Sequence, residues 1–236
     1  MVLKIFRWSP GADERLDEFP ITVREQMTVL DALVDAQRRR DQTLAFRYAC
    51  RVGMCGSCGM VVNGRERWAC RTVLRSLRTE VVTVRPLYHF PLIRDLVVDM
   101  APFREKMRDV EAGFVPGAAV PDFAPIAGDG RERRRIDAAI ECIGCGLCLS
   151  ACTMVAQDPG FPGPAALNRA FTLQQDTRDA AHAARAVTLS ASALTRCHAQ
   201  ANCTEVCPMG ISPTDSILTL RRRSLRSLFG AHEWSG

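Results

Sequence analysis

The spacing of apolar residues changes period several times along the chain. Near the start, VLKIFRW alternates in part, which predicts a strand over Val2–Trp8. Pro10–Gly11 marks a turn, and a second strand is predicted over Phe19–Val23. From Thr28 to Arg40 the period lengthens. Val29, Leu30, Leu33 and Val34 recur at helical spacing, with Thr28 as N-cap and Asp31 as the acid of a capping box. After a stretch rich in cysteine and glycine, MVVNGRERWACR reads as a hairpin around Asn63–Gly64, and EVVTVRPL, from Glu80, as a closing strand.

The next forty residues break the pattern. Leu96–Val110 is predicted helical, followed by a Pro/Gly-rich loop over the surface with Phe114 and Phe123 as apolar anchors. From residue 136 the period is helical again. An alanine-rich helical stretch breaks near Asp176–Asp179. A basic amphipathic helix from Asp215 carries Ile217, Leu218, Leu220, Leu225 and Leu228, an apolar face expected to pack on its own domain rather than on a membrane. The chain thus divides into 1–95, a connector over 96–135, and a helical part over 136–236. The fold class is α+β.

Composition narrows the classes. The 236 residues are 47% hydrophobic and 24% charged, as in a soluble globular protein. No apolar run approaches the ~18 residues of a membrane span. The N-terminus has neither a secretory apolar core nor a twin arginine, so a cytoplasmic or similarly reducing compartment is expected. The net charge is +5, and the basic runs Arg131–Arg135 and Arg221–Arg226 lack interleaved aromatics. They read as solvated helix faces, and no nucleic-acid partner is expected. Eleven cysteines change the picture, because they are clustered and odd in number. In a reducing compartment that pattern points to metal ligation rather than disulfides.

Cys50, Cys55 and Cys58, with Cys70 after eleven intervening residues, have the plant-type [2Fe–2S] spacing. Two irons bridged by two sulfides take four terminal thiolates, three from one loop and one from the adjacent hairpin. Gly53, Gly56 and Gly59 alternate with the ligands and let the backbone approach, so that N–H groups face the sulfides. Zinc is the weaker alternative, since a four-residue gap inside a glycine loop is unusual for it. Nearby Arg47, Arg51, Arg65 and Arg67 either offset the thiolates or are ordinary surface charge. The order strand, strand, helix, cysteine loop, hairpin, strand is that of a β-grasp ferredoxin.

CIGCGLCLSAC and CHAQANCTEVCP form two further runs. In two-cluster ferredoxins each run lends its last cysteine to the other cluster. By that rule Cys142, Cys145, Cys148 and Cys207 hold a [4Fe–4S] cluster. Cys152, Cys197 and Cys203 hold another, and Gln200 stands where a fourth cysteine belongs. A cubane with three thiolates readily loses one iron and leaves [3Fe–4S], a cluster of higher potential suited to the downstream end of a chain. An oxygen of Gln200 or of water holding a fourth iron is the alternative.

Together, RYACRVGMCGSCGMVVNGRERWACR, CIGCGLCLSAC and RCHAQANCTEVCPMGISP resemble the iron–sulfur subunit of succinate dehydrogenase and fumarate reductase, the respiratory complex II family. PLIRDLVVDM between the domains fits as well. The resemblance covers nearly the whole chain, and all eleven cysteines fall on the family's ligand positions. It implies an electron-transfer subunit, with no catalytic site of its own, between an FAD flavoprotein that handles succinate or fumarate and a membrane anchor with quinone and, in some members, haem b. Cys50, Cys55, Cys58 and Cys70 would face the flavoprotein. Cys152, Cys197 and Cys203 would lie near the quinone, with His198 quinone-proximal or else a partly exposed histidine at a helix start. The subunit would be peripheral, on the cytoplasmic face of the membrane. Thr153, Met154 and Val155 depart from the proline, serine and tryptophan that many members carry there, and Trp8, Trp68 and Trp234 lie elsewhere. A flavoprotein partner for another organic acid, or a stand-alone ferredoxin carrier, are the competing functions.

Overall fold

The computed structural model describes residues 1–117, 128–189 and 191–228. Phe123, Trp234 and the side chain of Leu228 lie outside the described residues. Two compact units form: Met1–Pro102 with Ile143–Ala151, and Phe103–Cys142 with Cys152–Gly236.

The first unit is built on a five-stranded mixed sheet of order β2-β1-β5-β3-β4. Strand β1 (Val2–Arg7) pairs antiparallel with β2 (Arg15–Pro20) and parallel with β5 (Val81–Arg85). A parallel neighbour needs a crossover, and the crossover carries helix α1 (Val29–Arg39) and the hairpin β3 (Gly59–Val62)–β4 (Arg65–Trp68). Leu3, Ile5, Val82 and Val84 are buried and supply the core from the sheet; Val29, Leu30 and Leu33 of α1 are buried too. Burying each such side chain stabilises by about 1.5–3 kcal/mol. The capping box is present: the Asp31 N–H donates to Thr28 Oγ1 at 3.1 Å, and the Thr28 N–H donates to Asp31 Oδ2 at 3.0 Å. At the hairpin, Asn63 and Gly64 take φ of 50° and 75°, the pair of positive angles that a two-residue turn requires.

Strand β2 corrects the expectation of Phe19–Val23. It starts at Arg15 because Arg7 pairs in register with Arg15, and it ends at Pro20. Only Phe19 of this edge strand is buried, so RLDEFP carries no alternating pattern to read. The Leu96–Val110 helix is also shorter than expected. Strands β6 (Leu92–Arg94) and β7 (Val97–Val98) form a small hairpin first, and α2 spans Ala101–Asp109, where the Asp99 carboxylate accepts from the Ala101 N–H.

The second unit is helical: α3 (Arg131–Ile136), α5 (Thr153–Gln157), α6 (Pro164–Gln175), α7 (His182–Thr188), α8 (Ala191–Thr195), α9 (Asn202–Glu205) and α10 (Pro213–Leu228), while α4 (Leu147–Ser150) belongs to the first unit. Helices α6 and α10 pack together, with Ser216 Oγ donating to Asn168 Oδ1 at 2.8 Å between buried side chains. The expected break falls between α6 and α7. There a fully buried Arg185 binds Asp179 at 3.0 Å and the carbonyls of Glu111 and Gly113. Ile217 and Leu220 bury the apolar face of α10 inside its unit, whereas Leu225 is exposed. Phe114 is not a buried anchor: it is 44% exposed, with the Arg178 guanidinium over its ring.

Candidate iron–sulfur cluster sites

All eleven cysteines lie among the described residues, and none is in a disulfide. In the first unit the β3–β4 hairpin sets Cys58 and Cys70 side by side, because Gly59 pairs with Trp68 and the Ala69 N–H donates to the Cys58 carbonyl at 3.1 Å. Burial and the neighbouring Cys70 push the Cys58 thiol up to about 12. The loop that carries Cys50 and Cys55 is built the opposite way. Backbone N–H groups of Cys55 and Met54 point at Cys50 Sγ from 3.4 and 3.3 Å, and they lower its thiol to about 6. Ser57 Oγ lies 2.9 Å from Cys55 Sγ. These contacts suit a ligand set that is thiolate when occupied. They are the N–H···S and O–H···S bonds that stabilise added negative charge on a cluster.

Close backbone approach is what the loop glycines provide. Gly56 has φ of 71°, and a Cβ there would stand 2.5 Å from the Cβ of Cys145. The segment 143–151 thereby sits against the first cysteine loop inside one unit, and Leu147 packs on Gly59. Ser150 anchors this segment, donating to Glu66 Oε1 at 2.8 Å and accepting from the Tyr88 N–H at 2.9 Å. Cys145 and Cys148 thus belong to the first unit, and Cys142 and Cys207 to the second.

The segment that leads into the loop is held by Arg7, 3% exposed. Its guanidinium donates to Asp95 at 3.1 Å, to Asp17 at 3.0 Å and to Asp41 at 2.5 Å. Asp95 also accepts from the N–H groups of Trp8 and Ala45. Thr43 and Arg7 hold the Asp41 carboxyl well below the usual carboxylate range. Of the four arginines near the loop, Arg47 donates to the Val98 carbonyl and Arg51 lies over Tyr48, so both have structural partners. The loop tip exposes Val52 and Met54, at 58% and 71%.

In the second unit Cys152, Cys197 and Cys203 line one cavity, together with Gln200, His198 and Thr214. Burial raises the thiols of Cys152 and Cys203. Gln200 Oε1 accepts from Thr153 Oγ1, so the residue at the missing-cysteine position is tied to its neighbour across the cavity mouth. His198 is exposed in the segment before α9. Among the described residues, no group of three or more His, Cys, Asp or Glu side chains closes around a single metal ion.

Sequence reasoning passed over Ser57, Arg7 with Asp95, and Thr214. Ser57 was findable, because it stands between two cysteines in CGSC; the others touch the site only through the fold.

The fold and the cysteine layout define a ferredoxin-type iron–sulfur protein with two modules. Residues 2–105 match the family described as a 2Fe-2S iron-sulfur cluster binding domain, and residues 138–211 match a 4Fe-4S dicluster domain. The chain belongs to the iron–sulfur subunit family of succinate dehydrogenase and fumarate reductase. It is 34% identical to the fumarate reductase iron-sulfur subunit of Mycobacterium tuberculosis, across 100% of this chain and 98% of that one. It is 32% identical to the mitochondrial succinate dehydrogenase (ubiquinone) iron-sulfur subunit 3 of Arabidopsis thaliana, across 95% and 75%. A chain of the Mycobacterium smegmatis Sdh1 complex in the apo form superposes with a TM-score of 0.88 at 29% identity, covering 98% of each chain. Among the described residues, no helix is long and apolar enough to cross a membrane.

Proposed function

We propose that this chain carries electrons between an FAD flavoprotein that oxidises succinate or reduces fumarate and a quinone held by a membrane anchor. It does so as a peripheral subunit on the cytoplasmic face, without catalysing the substrate reaction. Cys50, Cys55, Cys58 and Cys70 hold [2Fe–2S]; Cys142, Cys145, Cys148 and Cys207 hold [4Fe–4S]; Cys152, Cys197 and Cys203 hold [3Fe–4S]. When bound, such clusters supply one-electron steps across a wide range of potentials. The domains act in chain order, 1–95 toward the flavoprotein and 136–236 toward the quinone, with 96–135 connecting them.

The observation that carries the reading is the contact of Gly56 with Cys145. It brings the first cysteine loop against a segment of the second run, as a wire requires. The chain's own residues do the rest. Backbone N–H groups at Cys50 and the Ser57 hydroxyl at Cys55 stabilise the thiolates, and Val52 and Met54 offer an apolar tip to the flavoprotein. His198, next to Cys197, is exposed, and on this reading it is the residue proximal to the quinone.

Low-temperature electron paramagnetic resonance on membranes holding the complex tests this. An oxidised three-iron spectrum that disappears on adding succinate, while a [2Fe–2S] spectrum appears, is the expected result. A change with dithionite alone keeps the wire but assigns the flavoprotein another organic acid. Fewer than three clusters per chain in the intact complex overturns the reading.

A further inference from the structure

Four hydrogen bonds on the second unit form a series that ends on a cysteine sulfur. The Asp215 N–H donates to Ser212 Oγ at 3.3 Å. Ser212 Oγ lies 3.3 Å from Thr204 Oγ1, which donates to Thr214 Oγ1 at 3.0 Å. Thr214 Oγ1 lies 3.3 Å from Cys203 Sγ. Each hydroxyl has a single proton. Thr204 spends its proton on Thr214, so it accepts from Ser212. A ligating Cys203 is a thiolate and can only accept, so the Thr214 proton goes to sulfur. The polarity of the three hydroxyls follows from the sulfur end, and the Asp215 N–H adds a donor at the other.

We propose that Thr214, backed by Thr204 and Ser212, is a positioning residue that sets the reduction potential of the cluster on Cys152, Cys197 and Cys203. The inference rests on the reading of Cys203 as a ligand of that cluster. Cys203 and Thr214 are 7% and 8% exposed, so water does not replace the bond. Reduction adds negative charge to the cluster, and a donor on a ligand sulfur stabilises the reduced form more than the oxidised one. Donors aligned head to tail polarise one another, and the last of them becomes a stronger donor than an isolated hydroxyl. The series therefore raises the potential of the site beyond what three thiolates alone would set.

The test is a potentiometric titration, followed by low-temperature electron paramagnetic resonance, of the intact complex carrying Thr214→Val, Thr214→Ser or Thr204→Val. Valine keeps the shape of threonine and removes the hydroxyl. Thr214→Val is expected to disfavour reduction of this cluster about tenfold, a fall of about 59 mV for one electron. Thr214→Ser restores the potential, Thr204→Val lowers it by less, and the midpoints of the other two clusters stay in place. An unmoved midpoint in Thr214→Val, or an equal shift of all three clusters, overturns the proposal. If Thr214→Val does not assemble the cluster, Thr204→Val decides, since its fall supports the series and its constancy refutes it. Failure of the ligand assignment shows separately and takes the proposal with it: the unsubstituted protein then lacks the three-iron spectrum.

Discussion

Single atoms decide much at the cysteine loops. Gly56→Ala adds a methyl 2.5 Å from Cys145 at a φ of 71°, whereas Gly64→Ala meets the same strain with nothing within 4 Å. The strain alone costs about 1–2 kcal/mol. Gly56→Ala is therefore expected to lower the [2Fe–2S] resonance per mole of protein, and Gly64→Ala to keep it. The thiol of Cys50, lowered to about 6, is mostly thiolate at neutral pH in the cluster-free chain. Alkylation by iodoacetamide at Cys50 should fall to half its plateau near pH 6, read by peptide mass spectrometry, while Cys58 stays protonated and slow. Gln200→Cys supplies the thiolate missing from the second run; the oxidised three-iron spectrum should give way to a four-iron spectrum on reduction. The cysteine spacings made most of the site legible at this scale. Ser57 and Thr214 matter through a sulfur contact, and for Thr214 that contact spans eleven positions of chain.

Elements were legible where local chemistry set their limits. Thr28 with Asp31 starts α1, and Asn63–Gly64 closes the β3–β4 hairpin, because caps and tight turns use residues a few positions apart. Strand β2 was misplaced because its register comes from β1 and from the Arg7–Asp17 pair, not from its own pattern. Two buried arginines hold elements that no periodicity connects. Arg7→Met leaves Asp41 without its cation and Asp95 with only the half-exposed Arg94 at 3.9 Å, and Arg185→Met leaves the fully buried Asp179 without its own. Removing one partner of such a pair costs about 3–5 kcal/mol. Both variants should melt at lower temperature than the parent by calorimetry, and Arg7→Met should also broaden the [2Fe–2S] resonance.

At the scale of the whole molecule, the chain returns on itself: residues 143–151 join the unit built by the first 102. Metal binding to ligands that the unfolded chain does not preassemble contributes directly to folding stability. Removing iron with a chelator is therefore expected to lower the melting temperature of the protein, and reconstitution with iron and sulfide to restore it. Sequence alone determined the cysteine groups, the α+β class and the family, since ligand chemistry and short-range caps are written in spacings of two to eleven residues. Only the tertiary structure decided that Gly56 lies on Cys145, that Arg7 ties three carboxylates together, and that a file of hydroxyls ends on Cys203. Those contacts join residues from different elements of the fold, and it is packing, not local periodicity, that brings such residues together.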